Sequence, residues 1–153
     1  MNTFKTSANG RKFIELWEGA FFKTYDDGTG VLTIGYGHTT AAGPPMVMPG
    51  MTLTQEEADA ILSADLASVE VQVNRLVTAP INQNQFDAFV SFDYNTGGLS
   101  RSSLLRSFNQ GDLSQVKGDL ALWARGGGRY LPGLARRRAA EYVLFSTGVV
   151  QGP

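Results

Sequence analysis

The feature that most constrains the fold is a long helical pattern in the middle of the chain. Thr54 and Glu57 have the spacing of a capping box, a reciprocal side-chain and backbone pairing that starts a helix. Apolar residues then recur at helical spacing, at Ala58, Ile61, Leu62, Leu66, Val69, Val73 and Leu76. The pattern predicts one helix over about residues 55–77, and we expect it to be the strut between two lobes.

The segment before this helix has β-hairpin character. An apolar stripe over residues 13–17 that stops at Gly19 predicts a short N-terminal helix. Residues 22–25 and 31–34 are β-prone and are joined by a loop of aspartates and glycines, which predicts a hairpin. Residues 41–50 are too rich in proline and glycine for a helix. We therefore expect a hairpin lobe over about residues 11–53.

The segment after the helix reads as several shorter helices. Predicted starts are Asn82 or Gln83, Ser102 or Ser103, Asp112, and Pro132-Gly133; predicted stops are Gly97-Gly98, Gly111 and the glycines of 126–128. This helical lobe should span about residues 80–148. The predicted fold class is α+β and mostly helical: a single domain with a small β-hairpin lobe, a larger helical lobe and a cleft between them.

Composition excludes several classes of site. The 153-residue chain suits one packed domain. It has no cysteine, so disulfides and thiolate metal sites are excluded. His38 is the single histidine, which excludes a site with several histidine ligands, and we expect neither a metal nor a cofactor. The sequence shows no apolar run of signal-peptide or membrane-span length, so we expect a soluble chain.

Charge is distributed unevenly along the chain. The net charge is −1, but residues 1–77 hold five basic and nine acidic residues, and residues 78–153 hold eight basic and five acidic ones. The basic excess concentrates in Arg125, Arg129, Arg136, Arg137 and Arg138. A basic face suggests an anionic polymer as partner, either a cell-wall polymer or nucleic acid.

Two acids and a hydroxyl in the hairpin lobe suggest the chemistry. Glu18 ends the N-terminal helix, Asp27 lies in the following turn, and Thr33 belongs to the next strand. Cleavage of a glycosidic bond needs one acid to protonate the leaving oxygen and a second carboxylate to activate water or attack the sugar. Glu18 beside aromatic residues would favour its neutral form, whereas Asp27 in a polar turn should stay ionised. The alternative is an ordinary helix end followed by an ordinary Asp-Gly turn.

The sequence also resembles a known family. The pattern Glu-Gly…Asp…Thr-Ile-Gly-Tyr-Gly-His over residues 18–38 is similar to the phage-type lysozymes, the endolysins of glycoside hydrolase family 24. The likeness continues, in the family's order, through residues 82–92, 101–105, 123–127 and 131–141. It therefore covers nearly the whole chain.

The resemblance implies roles for the three residues. Glu18 would be the general acid, and Asp27 and Thr33 would hold or activate the hydrolytic water. The family inverts the anomeric centre, which implies carboxyl groups roughly 6.5–9.5 Å apart, with room for water between them. Asp26 is adjacent to Asp27, but the nine- and six-residue spacings favour Asp27; Asp26 would then be a turn or cap residue.

Further residues have weaker assignments. An arginine of the last helix pairs with the catalytic glutamate in the resembled family. Arg137 is the best match because it shares a helical face with apolar residues and should point inward, while its neighbours face solvent; Arg136 and Arg138 are the neighbouring alternatives. His38 is expected to support the site through structural hydrogen bonds. Gly35 and Gly37 would permit close approach of sugar or backbone, or simply reflect a crowded strand.

Candidate substrate contacts lie in the helical lobe. Asn95, Ser103 and Phe108 are candidates to bind sugar, together with Phe92, Tyr94 and Leu104. Core packing is the alternative for the apolar members, and helix capping is the alternative for Asn95 and Ser103. Trp17 and Trp123 are expected to pack in the core.

The function implied is a muramidase that hydrolyses the β-1,4 bond between N-acetylmuramic acid and N-acetylglucosamine in bacterial peptidoglycan. The resemblance implies a monomeric phage or prophage lysis protein. It would be held in the host cytoplasm until a separate holin-type membrane protein releases it to the periplasm and cell wall. A lytic transglycosylase, a non-catalytic wall-binding module, an arginine-driven nucleic-acid binder and a lysozyme domain of a larger phage protein are the alternatives.

Overall fold

The computed structural model describes residues 2–153, which divide into two compact units. Residues 18–68 form one unit, and residues 2–17 with 69–153 form the other. The division falls within the long central helix. It groups most of the N-terminal helix with the helical residues, whereas the sequence analysis grouped that helix with the hairpin.

The smaller unit is built on a three-stranded antiparallel sheet in the order β1-β2-β3. Its strands are β1 (Phe21–Asp26), β2 (Leu32–Gly35) and β3 (His38–Thr39). A turn of 3-10 helix at Thr40–Ala42 follows. This turn overlaps the start of the Pro/Gly connection over residues 41–50, for which the sequence predicted no helix. The first residues of α2 (Gln55–Leu76) complete the unit. The capping box is present, since Glu57 N–H donates to Thr54 Oγ1 and Thr54 N–H donates to Glu57 Oε1.

The larger unit is helical. It contains most of α1 (Ala8–Glu18), the end of α2, α3 (Gln83–Thr96), α4 (Ser103–Asn109), α5 (Val116–Ala121) and α6 (Pro132–Thr147). Turns of 3-10 helix lie at Leu99–Arg101 and Leu113–Gln115. Strands β4 (Arg125–Gly126) and β5 (Arg129–Tyr130) form a separate hairpin. The α+β, mostly helical prediction is therefore confirmed.

Aromatic side chains fill the core of the helical unit. Phe89 and Phe108 meet edge to face with ring centroids 5.0 Å apart, and Phe145 packs 5.7 Å from Phe89. Edge-to-face contacts of this kind add to the gain from burying the rings. This cluster joins α3, α4 and α6, and all three rings are nearly inaccessible to solvent.

Three local predictions need correction. Helix α1 begins earlier than the apolar stripe indicated, because the Ser7 hydroxyl accepts the Gly10 N–H and acts as a cap. Asp112 caps a 3-10 turn rather than an α-helix, and α5 ends before Trp123. The glycines of 126–128 do more than stop a helix: Gly127 and Gly128, both at positive φ, form the two-residue turn of the β4–β5 hairpin.

Candidate active site

The predicted residues fall into two groups. Glu18, Asp27, Thr33, Gly35, Gly37 and His38 all belong to the unit of residues 18–68. Asn95, Ser103, Phe108 and Arg137 belong to the helical unit.

Glu18, the last residue of α1, lies against the turn between β2 and β3. A Cβ atom placed on Gly37 would be 3.3 Å from both Glu18 carboxylate oxygens, and Gly37 has a φ of 76°. Both the contact and the backbone conformation favour glycine there. The close approach at Gly37 is therefore to the Glu18 carboxylate.

Tyr25 lies near both acids of the motif, Glu18 and Asp27. Burial raises the pKa of its phenol, and the negative charges of Glu18 and then Asp27 raise it further. Because charge interactions weaken with distance, both carboxylates must lie within electrostatic range of one hydroxyl. Tyr25 on β1 is also the direct cross-strand partner of Thr33 on β2, which puts both side chains on the same face of the sheet. Glu18, Asp27 and Thr33 are thus grouped around Tyr25.

Asp27 is exposed at the start of the β1–β2 loop, where Thr29 donates to its carboxylate. Its Oδ1 accepts hydrogen bonds from the Thr29 hydroxyl at 2.5 Å and the Thr29 N–H at 2.8 Å. The hydroxyl and then the backbone hydrogen bond from Thr29 lower the pKa of Asp27. Donors to a carboxylate favour its charged form, so Asp27 is ionised at neutral pH.

Asp26 organises the loop itself. Its Oδ1 accepts the N–H groups of Gly28 and Gly30, at 2.8 and 3.0 Å. This is the turn role that the sequence analysis gave to Asp26.

Thr33 is almost fully buried in β2. Its hydroxyl donates to the Val31 carbonyl at 3.3 Å, which leaves its lone pairs as acceptors. Gly35 follows at the end of β2 with a φ of 66°, and a Cβ atom there would contact Leu53 at 3.6 Å. The positive φ of Gly35 is therefore part of the turn between β2 and β3. Sugar contact at Gly35 or Gly37 stays a prediction.

His38 is buried and both of its ring nitrogens have hydrogen-bond partners, as expected for a structural role. Its Nδ1 lies 2.7 Å from Asp65 Oδ2 and its Nε2 lies 2.8 Å from the Pro45 carbonyl oxygen, and the ring is buried. Burial raises the pKa of Asp65, and the interaction with His38 opposes that rise. With both ring nitrogens occupied, His38 ties β3 to α2 and to the following loop.

Arg137 is buried in α6, but it is not alone there. Glu141, fully buried, lies between two guanidinium groups: Arg137 Nε is 3.4 Å from its Oε2, and Arg138 Nε is 2.6 Å from its Oε1. The Ser91 hydroxyl donates to Glu141 at 2.6 Å. The expectation that the neighbours of Arg137 face solvent is wrong for Arg138, which is 1 % exposed. The i, i+3 spacing of Arg138 and Glu141 was the sequence signal for this pair.

The helical-unit candidates separate into polar and core residues. Asn95 lies inside α3, whose caps are Asn82 and Gly97, and it accepts a hydrogen bond from Arg138 at 2.8 Å. The Ser103 hydroxyl donates to Asp119 at 3.0 Å, while Ser102 is the residue that caps α4. Phe108 is 1 % exposed in the aromatic core. It therefore offers no surface to a sugar, which corrects its assignment as a substrate contact.

The basic cluster is smaller at the surface than its sequence indicated. Arg125, Arg129 and Arg136 are exposed, whereas Arg137 and Arg138 are buried around Glu141. Within residues 2–153, no group of acidic or histidine side chains could hold a metal ion. Over the same residues, no helix is long and apolar enough to cross a membrane.

Comparison with known proteins identifies the class to which this fold and site belong. The sequence profile of the phage lysozyme family matches residues 15–141. The endolysin of Acyrthosiphon pisum secondary endosymbiont phage 1 is 36% identical over 147 residues, which is 92% of this chain and 97% of the relative. The chain belongs to the phage lysozyme family.

Two solved structures agree with this membership. The endolysin from Escherichia coli O157:H7 phage FAHEc1 superposes with a TM-score of 0.87 at 30% identity, covering 98% of each chain. The muramidase domain of SpmX from Asticaccaulis excentricus gives 0.84 at 36% identity, covering 95% of this chain and 99% of that one. The resemblance stated from sequence is confirmed, and the protein is a lysozyme-type glycoside hydrolase that degrades peptidoglycan.

Proposed function

We propose that this enzyme hydrolyses the β-1,4 bond between N-acetylmuramic acid and N-acetylglucosamine with inversion at the anomeric carbon. The observation that carries the proposal is the grouping of Glu18 and Asp27 about Tyr25 in a chain of the phage lysozyme family. Two carboxyl groups with different surroundings are what the reaction requires.

Glu18 is the proposed general acid. Its carboxylate is half-buried and its position is set by contact with Gly37. In this role Glu18 is protonated in the enzyme–substrate complex and gives its proton to the departing glycosidic oxygen.

Asp27 and Thr33 are the proposed water-activating pair. Asp27 is ionised, and in this role its carboxylate takes the proton from water. Thr33 uses its hydroxyl proton within β2 and retains acceptor capacity to orient that water. Inversion requires water between acid and base, which corresponds to carboxyl groups roughly 6.5–9.5 Å apart.

Arg137 is proposed to pair with Glu18 and to hold its carboxylate in place. Asn95 and Ser103 are proposed sugar contacts, because each has a polar group on a residue that retains some exposure.

The enzyme is proposed to act as a monomer in phage or prophage lysis. It would stay in the host cytoplasm until a holin-type membrane protein gives it access to the wall. The exposed arginines would then favour association with the anionic wall, an attraction that salt weakens.

Digestion of purified peptidoglycan tests the reaction. Native protein, Glu18→Gln and the matched control Glu56→Gln, an exposed carboxylate on α2, would be compared by mass spectrometry of the fragments. Reducing muramic ends from the native protein and the control, but not from Glu18→Gln, are expected. NMR of the fresh product should show the α-anomer first, as inversion demands.

Three other results would each contradict the proposal. Anhydro-muramic ends would indicate a lytic transglycosylase, which needs no water-activating aspartate. Undiminished cleavage by Glu18→Gln would remove the proposed acid. Binding to the wall without cleavage by the native protein would indicate a binding module.

A further inference from the structure

Strand β1 carries two aromatic side chains, one of them exposed, beside the proposed reacting groups. Phe21 begins β1 and is 45 % exposed. Its ring lies against that of Tyr25, with centroids 4.5 Å apart and planes inclined at 44°. Tyr25 is half-buried, so it holds the more accessible ring in place. We call Phe21 and Tyr25 the aromatic pair, and together they offer a preformed apolar surface.

The aromatic pair is continuous with the proposed active site. A Cβ atom on Gly19, the residue after Glu18, would lie 3.6 Å from the Phe21 ring. Tyr25 is the direct cross-strand partner of Thr33. Burial and then the negative charge of Glu18 raise the pKa of the Tyr25 phenol, which keeps its hydroxyl protonated and able to donate. A substrate bound at Glu18 therefore lies next to the aromatic pair.

The charges around the aromatic pair suit a neutral ligand. Residues 18–27 hold three acidic residues, Glu18, Asp26 and Asp27, and one basic residue, Lys23. This excess of negative charge repels a polyanion and disfavours a carboxylate. A pyranose ring is uncharged, and its C–H groups form an apolar face that fits an aromatic ring. In the glycan of peptidoglycan, N-acetylglucosamine is the sugar without an acidic substituent, so it is the better match.

We propose that the aromatic pair binds an N-acetylglucosamine ring of the glycan beside the bond that is cleaved. This inference rests on the proposed function, because it takes the glycan of peptidoglycan as the substrate. Phe21 supplies the surface on which the sugar stacks, and Tyr25 fixes that surface and offers a hydroxyl to the polar edge of the sugar. The aromatic pair holds the substrate and moves no proton.

Phe22 provides a matched control on the same strand. An exposed aromatic residue is by itself common on protein surfaces, so exposure alone does not make a site. Phe22 is 42 % exposed, and because the side chains of a strand alternate, it projects from the opposite face to Phe21. Phe21→Ala and Phe22→Ala therefore remove the same ring at nearly the same exposure. Only the first removes a member of the aromatic pair.

A titration of the Glu18→Gln protein measures glycan binding without cleavage. The probe is a hexasaccharide of alternating N-acetylglucosamine and N-acetylmuramic acid that carries no peptide, and its Kd is measured by ¹⁵N NMR. In this background Phe21→Ala should raise the Kd about tenfold, as expected for the loss of one aromatic contact. Phe22→Ala should leave the Kd nearly unchanged, and Phe21→Tyr, which keeps the ring, should preserve binding. Equal effects of the two alanine variants, or no rescue by Phe21→Tyr, would overturn the proposal.

A double-mutant cycle tests whether the two rings act as one surface. Tyr25→Leu keeps an apolar side chain but removes the ring that holds Phe21. In the Tyr25→Leu background, Phe21→Ala should raise the Kd by much less than about tenfold, because the effects of residues in contact are not additive. An undiminished effect would show that Phe21 acts independently of Tyr25, and the aromatic pair would not be the site.

Kinetics of otherwise native protein separate binding from chemistry. Phe21→Ala should raise KM on peptide-bearing glycan and on amidase-stripped glycan alike, because stacking depends on the sugar ring. It should leave both limbs of the pH profile of kcat in place, because the aromatic pair moves no proton. A displaced limb would mean that Phe21 acts through the ionisation of Glu18 or Asp27. A KM effect confined to peptide-bearing glycan would mean that the ring contacts peptide, and either result would contradict the proposal.

Failure of the proposed function gives a different pattern. If the native protein cleaves no peptidoglycan, the proposed function fails, while the hexasaccharide titration still decides whether the aromatic pair binds sugar. If the native protein cleaves peptidoglycan and Phe21→Ala changes neither Kd nor KM, the inference about the aromatic pair fails and the proposed function stands.

Discussion

Asp26 and Asp27 make similar local hydrogen bonds, but substitution by asparagine can show which of the two acts as the base. Asp26 uses one oxygen to accept two loop N–H groups, and Asp27 uses one oxygen to accept two donors from Thr29. An asparagine retains one such acceptor oxygen but cannot take a proton from water.

We therefore expect Asp26→Asn to keep most activity and Asp27→Asn to lose it by roughly two to four orders of magnitude, the usual range for a general base. Turnover on purified peptidoglycan measures both. If the two variants behaved in the opposite way, Asp26 would be the base and the assignment would be out of register by one residue.

Thr29 gives a pH-dependent prediction at the same scale. The Thr29 hydroxyl lowers the pKa of Asp27, and a base must be ionised to act, so activity falls as the pH drops through that pKa. Thr29→Val removes the hydroxyl, raises the pKa of Asp27 and should move the acid limb of kcat/KM to higher pH. Thr29→Ser keeps the hydroxyl and should leave the limb in place. If the acid limb of kcat/KM were unchanged in Thr29→Val, the Thr29 hydroxyl would not control the ionisation of Asp27.

At the scale of the element, the turn between β2 and β3 positions Glu18. Gly37 and Gly50 have nearly the same positive φ, 76° and 74°, but a side chain at Gly50 would meet nothing within 4 Å. The cost of the backbone conformation, on the order of 1 kcal/mol, should therefore be common to both alanine variants. At Gly37 the added methyl group would also press on the Glu18 carboxylate.

Gly37→Ala should consequently reduce kcat at least about tenfold beyond Gly50→Ala at similar stability, because a small displacement of a reacting group is costly. Urea unfolding and steady-state turnover of both variants decide the point. Equal kcat values would show that Glu18 tolerates displacement.

Helix α6 depends on the Glu141 carboxylate for its packing on α3. Glu141→Gln keeps the shape but leaves two buried guanidinium groups without their shared carboxylate. Removing one partner of a buried ion pair typically costs about 3–5 kcal/mol, and we expect a loss of that order in the free energy of unfolding. Arg136→Gln, exposed on the same helix, should change it by less than about 0.5 kcal/mol. A loss below about 1 kcal/mol for Glu141→Gln would mean that the other contacts of the two arginines compensate for the lost carboxylate.

At the scale of the whole molecule, a buried acid makes stability depend on pH. Burial raises the pKa of Asp93, and its hydrogen bonds oppose that rise. A raised folded-state pKa gives stability that is complete below the unfolded value, about 3.9, and is lost as the pH rises through the folded value.

The native protein should therefore lose stability relative to Asp93→Asn as the pH increases from 3 to 7. Chemical unfolding at several pH values measures this difference. Asp112→Asn, at an exposed cap, is the control and should show a smaller pH dependence. A difference that is constant with pH, or that grows in favour of the native protein, would contradict the role of burial.

The sequence by itself determined the β1–β2 hairpin, the central helix and the family, but it did not predict the third strand, β3 (His38–Thr39). The capping box at Thr54 and the helical spacing behind it located α2 to within a residue of its end, because helix signals are local. The spacing of Glu18, Asp27 and Thr33 likewise pointed to the family, since a strand, a turn and a helix end fix these residues over a short stretch of chain.

Only the tertiary structure decided which distant side chains meet. On α3, Asn95 accepts a hydrogen bond from Arg138 and Ser91 donates one to Glu141, and the core position of Phe108 depends on Phe89 and Phe145, all far away in sequence. Periodicity predicts that a residue faces inward, but it does not identify the residues that it will contact. Burial and charge pairing are set by contacts between elements, and those contacts exist only once the chain has folded.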